Sequence, residues 1–161
     1  RQMIKEALKL MMEGTEEEVI DYIESCRLKF KMMPPEEVSF PRTVSDVKKY
    51  KSPVTIYGKG TPIHSRGALI YNHYIKKNEL DRKYSLISNG DKIKFCYLKV
   101  PNKLGENVIS FISDFPRELG IEKYVDYDLQ FSKSFLEPLK IILDSIGWSF
   151  EKKVTLESFF S

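Results

Sequence analysis

The stretch Lys92-Ile-Lys-Phe-Cys-Tyr-Leu-Lys-Val100 decides the fold of this 161-residue chain. Ile93, Phe95 and Tyr97 alternate with lysines, which is the period of a β-strand that buries one face. Cys96 lies on the other face and is apolar too, so that face is expected to be partly covered. The stretch therefore predicts a strand of a small sheet.

A turn precedes this strand and a second strand follows it. Asn89-Gly90-Asp91 is typical of a turn, and residues 102–106 connect the first strand to the apolar run from Val108 to Ile112. We expect the two strands to form an antiparallel sheet.

The first 33 residues are predicted to form a helical hairpin. Apolar residues recur at helical spacing from Arg1 to Met12, and Gly14 ends that helix. Thr15 and Glu18 have the spacing of a capping box at the start of a second helix. That helix carries an apolar repeat at Val19, Ile23, Cys26 and Phe30. The short connection implies that the two helices pack antiparallel.

The rest of the chain contains further helical segments and two irregular ones. Ala68 to Ile75 has helical spacing, and Asp126 to Ile146 predicts a long helix that Pro138 should kink or split and Gly147 ends. Residues 39–62 are expected to be irregular, apart from a short helix that Thr43 caps and that runs to Tyr50. Residues 78–88 are expected to form a surface loop.

These elements predict an α+β fold with a helical hairpin, a small antiparallel sheet and a long C-terminal helix. The division into domains is expected to be 1–33 for the hairpin, 34–150 for the main domain and 151–161 for a flexible tail. The predicted core comprises Ile4, Leu8, Val19, Ile23, Phe30, Leu69, Phe95, Leu98, Ile109, Leu136, Leu139 and Leu143.

Composition excludes several classes of protein. No apolar run approaches the roughly 20 residues that span a bilayer, and no signal peptide is recognisable. Cys26 and Cys96 are interpreted as reduced core residues in a reducing compartment. The net charge of +3 does not by itself indicate a polyanion partner. Acids concentrate near Glu13–Glu18 and cations between Lys48 and Arg66. Because the chain begins at Arg1, we expect it to be a piece of something longer.

The motifs of a catalytic centre are missing from the sequence. There is no glycine-rich phosphate loop after a strand, no Gly-x-Ser-x-Gly, and no zinc spacing around the two histidines. The acids of Glu16–Glu18 are interpreted as a solvated helix start, where they favour the positive end of the helix dipole. Asp126 and Asp128 suit a metal, but a helix start explains them equally well.

Five stretches in one order carry a resemblance to a known family. They are His64-Ser-Arg-Gly-Ala-Leu-Ile-Tyr-Asn72, Gly90-Asp-Lys-Ile-Lys-Phe95, Gly105-Glu-Asn-Val-Ile-Ser110, Asp126-Tyr-Asp-Leu-Gln-Phe-Ser-Lys-Ser-Phe-Leu-Glu-Pro-Leu139 and Glu151-Lys-Lys-Val-Thr-Leu156. Together they resemble the C-terminal thumb of family B DNA polymerases of the T-even-like phage type. Met11-Met-Glu-Gly14 resembles the turn of the helices that lead from the palm into the thumb.

The resemblance implies a part of a polymerase rather than a complete enzyme. The thumb of this family holds primer–template DNA, and the catalytic carboxylates with their Mg²⁺ lie in the palm. The chain alone is therefore expected not to synthesise DNA and to hold no cofactor. Its expected partners are primer–template DNA, a sliding clamp and the remaining palm, fingers and exonuclease domains, without a membrane. The implied location is the cytoplasm of the infected bacterial host.

The resemblance also assigns DNA-contacting positions, each with an alternative in the fold. Arg66, in the pattern His-x-Arg-Gly, is the first candidate, and the alternative is an ion pair with a nearby acid. His64 fits a DNA contact or a buried structural histidine. Tyr71 and Asn72 fit DNA contacts or packing roles. The other implied positions are Lys59, Lys103 and Lys133, of which Lys133 is equally well explained as an ordinary surface lysine.

The tail provides a second functional signal. In the phage polymerases an apolar C-terminal peptide enters a pocket on the sliding clamp. Leu156, Phe159 and Phe160 have a matching spacing, because one helical turn brings Leu156 beside both aromatic rings. The alternative is that the two phenylalanines fold back onto the core of the chain. We expect the tail to be disordered without the clamp.

The chain departs from the family at three places. Close relatives have a lysine just before the proline of Gly60-Thr61-Pro62, whereas here the nearest is Lys59. Asn107 and Glu137 stand where relatives tend to be basic. Two other classes of function remain: an interaction module that docks onto a clamp without significant DNA binding, and a small standalone enzyme. The cations between Lys59 and Arg66 favour DNA binding, since a docking module does not need them.

Overall fold

The computed structural model describes residues 2–45, 47–50 and 55–148. Its helices are α1 (Gln2–Glu13), α2 (Glu16–Lys31), α3 (Pro35–Val38), α4 (Val47–Tyr50), α5 (Ile63–Lys77), α6 (Tyr127–Phe131) and α7 (Glu137–Ser145), with 3₁₀ turns at Arg117–Leu119 and Glu122–Tyr124 and a π-helical segment at Ser132–Leu136. Its strands are β1 (Phe40–Thr43), β2 (Lys92–Tyr97) and β3 (Val108–Phe111). The predicted α+β class is confirmed.

The described residues form two compact units. Residues 2–33 and 131–148 belong to the first unit, and residues 34–130 form the second. The division of the sequence at residues 33 and 150 stays a prediction. The tail from 151 to 161, with its proposed clamp-binding residues, lies outside the described residues.

The first unit contains the predicted hairpin. Glu18 donates its backbone N–H to the Thr15 hydroxyl oxygen at 3.2 Å, so Thr15 caps α2 as predicted. The apolar repeat of α2 is buried along its length. Phe30 packs edge-on against Phe131 with ring centroids 5.3 Å apart, and Phe131 stacks on Phe135 at 4.9 Å. Phe30, Phe131 and Phe135 thus pack together within a core whose other buried residues are mainly aliphatic.

The prediction for the long C-terminal helix is confirmed with one difference. A π-helical segment, Ser132–Leu136, separates α6 from α7 and ends just before Pro138. Proline lacks an N–H and its ring clashes with the carbonyl group four residues earlier, and the wider π turn accommodates both defects. Asp126 accepts the Leu129 N–H at 3.0 Å, which is the capping role of a helix start.

The second unit is built on an antiparallel sheet in the order β1-β2-β3. The register pairs Phe40 with Phe95 and Phe95 with Ser110. Residues 39–62 were expected to contain no strand, and β1 shows that this expectation was wrong. The helix predicted to start at Thr43 begins instead at Val47, whose N–H is capped by the Asn89 side chain at 2.6 Å.

The core prediction is confirmed except at two positions. Val19, Ile23, Phe30, Leu69, Phe95, Leu98, Ile109, Leu136, Leu139 and Leu143 are all buried. Ile4 and Leu8 are only half-buried, and the buried position of α1 is Ala7. The apolar face of α1 is therefore narrow, and Ala7, its smallest apolar residue, lies at the centre of that face. Cys26 and Cys96 are buried thiols, as predicted.

A buried amide joins distant parts of the second unit. Gln130 is fully buried, accepts the Tyr97 N–H at 2.8 Å and donates to the Val38 carbonyl oxygen at 2.7 Å. Both polar ends of the side chain are thereby satisfied, as burial in an apolar core requires. Gln130 links the end of β2 to the end of α3.

Candidate nucleic-acid interface

Helix α5 carries most of the predicted DNA-contacting residues and lies tightly on the sheet. Gly67 makes this possible, because a Cβ atom at that position would lie 2.9 Å from the backbone nitrogen of Ser110 on β3. Ser110 also donates its hydroxyl to the His64 carbonyl oxygen at 2.9 Å. Gly67 therefore packs against the sheet, and the side chain of Arg66 lies beside this contact, half-exposed.

Arg66 is held in place by an amide and an aromatic ring. Its Nη2 donates to Oδ1 of Asn107 at 2.7 Å, and its guanidinium carbon lies 5.6 Å from the centre of the Tyr57 ring. Its Nε is buried and has no hydrogen-bond partner among the described residues. Within the described part of the chain, Arg66 thus contacts an amide rather than the acid of the alternative interpretation.

Tyr57 extends this arrangement to a carboxylate. Its hydroxyl donates to Oε2 of Glu106 at 3.0 Å. Burial raises the pKa of Tyr57, and the hydrogen bond to Glu106 adds to the shift. The phenol therefore stays protonated and donates a hydrogen bond to Glu106. Glu106 is the sequence neighbour of Asn107, but it is Asn107 that accepts the Arg66 hydrogen bond. Tyr57, Glu106 and Asn107 share no local signal in the sequence, because their contacts join segments 49 and 41 residues apart.

His64 lies half-buried at the start of α5. Its ring centroid is 6.4 Å from that of Phe95. Burial lowers the pKa of His64, and the positive charge of Arg42 lowers it further. The neutral imidazole is thus favoured, which suits a hydrogen bond better than an ionic contact with phosphate. Arg42, whose guanidinium lies 5.7 Å from the Phe95 ring centre, was not among the predicted site residues.

The remaining predicted cations are exposed. Lys59 precedes Gly60, whose φ of +81° is a backbone conformation that glycine adopts without strain. Lys103 lies on the β2–β3 connection with its side chain against Gly120. Tyr74 and Arg66 both bond to this connection, through Leu104 and Asn107, so it runs along α5. Lys133 belongs to the first unit, and its DNA contact stays a prediction.

Tyr71 and Asn72 have roles inside the fold. The hydroxyl of buried Tyr71 donates to the Ser85 carbonyl oxygen at 2.9 Å, and burial raises the pKa of Tyr71 to about 12. Asn72 accepts the Ile87 N–H at 2.8 Å and donates to the Ile87 carbonyl oxygen at 2.9 Å. These bonds fix residues 85–87 against α5, so we define the candidate interface by Lys59, His64, Arg66 and Lys103 alone.

The described residues contain neither a metal-binding group of side chains nor a helix that could span a membrane. Residues 2–45, 47–50 and 55–148 contain no group of three His, Cys, Asp or Glu side chains placed to hold a metal ion. Within the same ranges, no helix combines the length and the apolar character that crossing a bilayer requires.

Comparison with curated proteins relates the chain to a region of the T-even phage family B DNA polymerases, which confirms the resemblance seen in the motifs. The chain is 24% identical to the DNA-directed DNA polymerase of Enterobacteria phage T4 over 164 residues, covering 99% of this chain and 18% of that protein. It is 29% identical to the DNA-directed DNA polymerase of Escherichia phage RB69 over 108 residues, covering 64% of this chain and 12% of that protein. No family model matches the chain. It therefore spans less than a fifth of the length of either polymerase.

Proposed function

We propose that this chain is the thumb region of a replicative DNA-directed DNA polymerase and holds the primer–template duplex through phosphate contacts. The similarity to two phage polymerases supports the polymerase role. The observation that carries the duplex contact is the ordered Arg66 guanidinium, which is fixed by Asn107 and Tyr57 and still has N–H groups for an anion. A guanidinium that is already positioned loses little conformational entropy when it binds phosphate.

The interface has the chemistry of sequence-independent binding. Lys59, Arg66 and Lys103 supply charge that neutralises phosphates, and neutral His64 supplies a hydrogen bond. Phosphate contacts fix the register of a protein on DNA without reading bases, which a polymerase needs when it copies any template. The catalytic carboxylates and their Mg²⁺ belong, in this proposal, to a palm domain, so the chain by itself does not synthesise DNA.

Duplex binding across a salt series tests the proposal. The chain should bind a fluorescent primer–template duplex, with an affinity that falls linearly on a log–log plot against salt. Arg66→Ala should weaken binding and reduce the slope by about 0.9, the contribution of one phosphate contact. Arg82→Ala, which removes an exposed arginine outside the interface, should match the parent chain. Circular dichroism would verify that both variants fold.

Equal slopes for the parent chain and Arg66→Ala would contradict the proposed contact. Absence of duplex binding at low salt would instead favour a module that docks on a sliding clamp through residues 151–161. That docking is proposed as an additional function and rests on Leu156, Phe159 and Phe160. A fluorescent peptide of residues 151–161 should bind the clamp, and replacing both phenylalanines by alanine should abolish binding.

A further inference from the structure

A groove lies between α4 and α5, outside the interface defined above. Val47 and Lys48 of α4, with Thr55 and Ile56, form one wall of a cavity of about 490 Å³. The third turn and the end of α5 form the other wall. We call this cavity the α4–α5 groove. None of the residues that define the interface lines it.

The charge of the groove is of one sign. His73, Lys76 and Lys77 project from one side of α5, because residues three and four apart share a helix face. Lys48 faces them from α4. None of the described residues that line the groove is acidic. Lys48, Lys76 and Lys77 make the described lining positively charged, which favours an anion between the walls.

The floor of the groove is apolar. Val47 and Leu69 are buried and Ile56 is half-buried, and all three contribute to the lining. The groove thus combines an apolar floor with a cationic rim. Its volume falls within the range of about 300–1,000 Å³ that is typical of small-molecule pockets, and a groove of this size cannot enclose a duplex. These dimensions suit one or two nucleotide units.

We propose that the α4–α5 groove binds a segment of single-stranded nucleic acid, with phosphates at Lys48, Lys76 and Lys77 and a base or sugar on the floor of Val47, Ile56 and Leu69. Single strands are commonly held by cations that follow the backbone and by aromatic side chains on which the bases stack. In this groove the aliphatic floor of Val47, Ile56 and Leu69 would take the place of the aromatic rings. A duplex keeps its bases stacked in its interior, so no base is available to contact the apolar floor of the groove. The inference goes beyond the proposed duplex contact, since it needs a different ligand and different residues.

A matched pair of double variants tests the inference on the full chain. Lys48→Gln/Lys76→Gln removes one cation from each wall, and Lys9→Gln/Lys29→Gln removes two exposed cations of the hairpin with the same change in net charge. The probe is a fluorescent oligothymidylate about ten nucleotides long, within the site size of single-strand binding proteins. The groove variant should reduce the log–log salt slope by roughly 1.4, about 0.7 for each lost phosphate contact. The control should keep the parent slope.

Two competitors separate a bound strand from other ligands. An abasic oligonucleotide of equal length should compete several-fold less well, because it has no bases for the floor. Equal competition would overturn the inference by showing adsorption of any polyanion. Competition by thymidine monophosphate at the same nucleotide concentration would overturn the assignment to a strand and indicate a mononucleotide site.

Failure of this inference is distinguishable from failure of the proposed function. The duplex series with Arg66→Ala reports on the interface, whereas oligothymidylate binding by Lys48→Gln/Lys76→Gln reports on the groove. If both double variants bind oligothymidylate equally, the groove proposal is wrong and the duplex proposal stands on its own measurement. Equal thermal unfolding midpoints for the two double variants exclude a difference in folding as the cause.

Discussion

Arg117 and Glu36 form a bidentate ion pair that joins the 3₁₀ turn at Arg117–Leu119 to α3. Nη1 of Arg117 lies 2.7 Å from Oε2 of Glu36, and Nη2 lies 2.8 Å from Oε1. The backbone N–H of Phe115 also donates to Oε2, at 3.2 Å. The Arg117 hydrogen bonds are the main reason that the pKa of Glu36 falls to about 2.

This ion pair predicts a loss of stability in acid. Because the pKa of Glu36 is lower in the folded chain than its ordinary 4.5, the pair stabilises the fold above that value and is lost as the pH falls toward 2. Solvent screening at the half-exposed Arg117 limits the effect to roughly 1–2 kcal/mol. Glu36→Gln should lower the free energy of unfolding at pH 7 and flatten its decline below pH 5. Urea denaturation across pH, with exposed Glu37→Gln as the control, measures both effects.

The contact of Gly67 with Ser110 predicts that Gly67→Ala destabilises the chain. Alanine normally favours a helix by about 1 kcal/mol over glycine, but here its Cβ would meet the Ser110 backbone. The net loss should be roughly 1–3 kcal/mol, measured by chemical denaturation. Adding Ser110→Ala removes the hydroxyl but not the backbone contact, so it should restore only part of the loss. A more stable Gly67→Ala variant would refute the close contact.

The two hydrogen bonds of Asn72 predict a structural effect without a specific binding defect. Asn72→Ala leaves the buried backbone groups of Ile87 without partners and should cost roughly 1–3 kcal/mol of stability. Duplex affinity per folded molecule should stay at the parent value, because Asn72 is bonded within the fold. Denaturation and duplex titration of the same samples check this. A large loss of affinity in a fully folded Asn72→Ala sample would return Asn72 to the interface.

The bond between Arg66 and Asn107 predicts that a carboxylate at position 107 weakens duplex binding. Asn107→Asp keeps an acceptor near Arg66 and adds a charge that attracts the guanidinium and repels phosphate. The affinity should fall roughly fivefold, or about 1 kcal/mol. Asn107→Ala frees the guanidinium without adding charge and should have the smaller effect. Fluorescence anisotropy at one salt concentration compares them, and the opposite ranking would contradict the role of Asn107.

The parts of the fold with strong periodicity could be predicted from the sequence, and β1 could not. The repeats of α2 and β2 each bury a full stripe, so their patterns are legible in the chain. In β1 only Phe40 packs against the core, while Pro41, Arg42 and Thr43 are exposed. A four-residue strand with one apolar position has no measurable period. Its place is decided by pairing with β2, which is a tertiary effect.

The candidate interface also contains one residue that could be predicted from the sequence and partners that could not. Arg66 was found from the pattern His-x-Arg-Gly, which the chain shares with the family that it resembles. Its partners Tyr57 and Asn107 come from other segments and carry no local signal. Gln130 was missed for a similar reason. The backbone N–H that it accepts is 33 residues away in the sequence, and the carbonyl oxygen to which it donates is 92 residues away. Only the folded chain reveals which polar side chains satisfy one another.

The position of Pro41 has a consequence for how the chain behaves among copies of itself. Val44 exchanges hydrogen bonds with Gly90 and Asp91 on the β2 side. Alternate residues of a strand direct their backbone groups to opposite sides, so Pro41 faces the open edge of the sheet, where it offers no N–H. Exposed Arg42 adds a charge beside it. A second chain that approaches this edge during folding therefore finds a poor template for strand addition, which protects the protein against edge-to-edge aggregation.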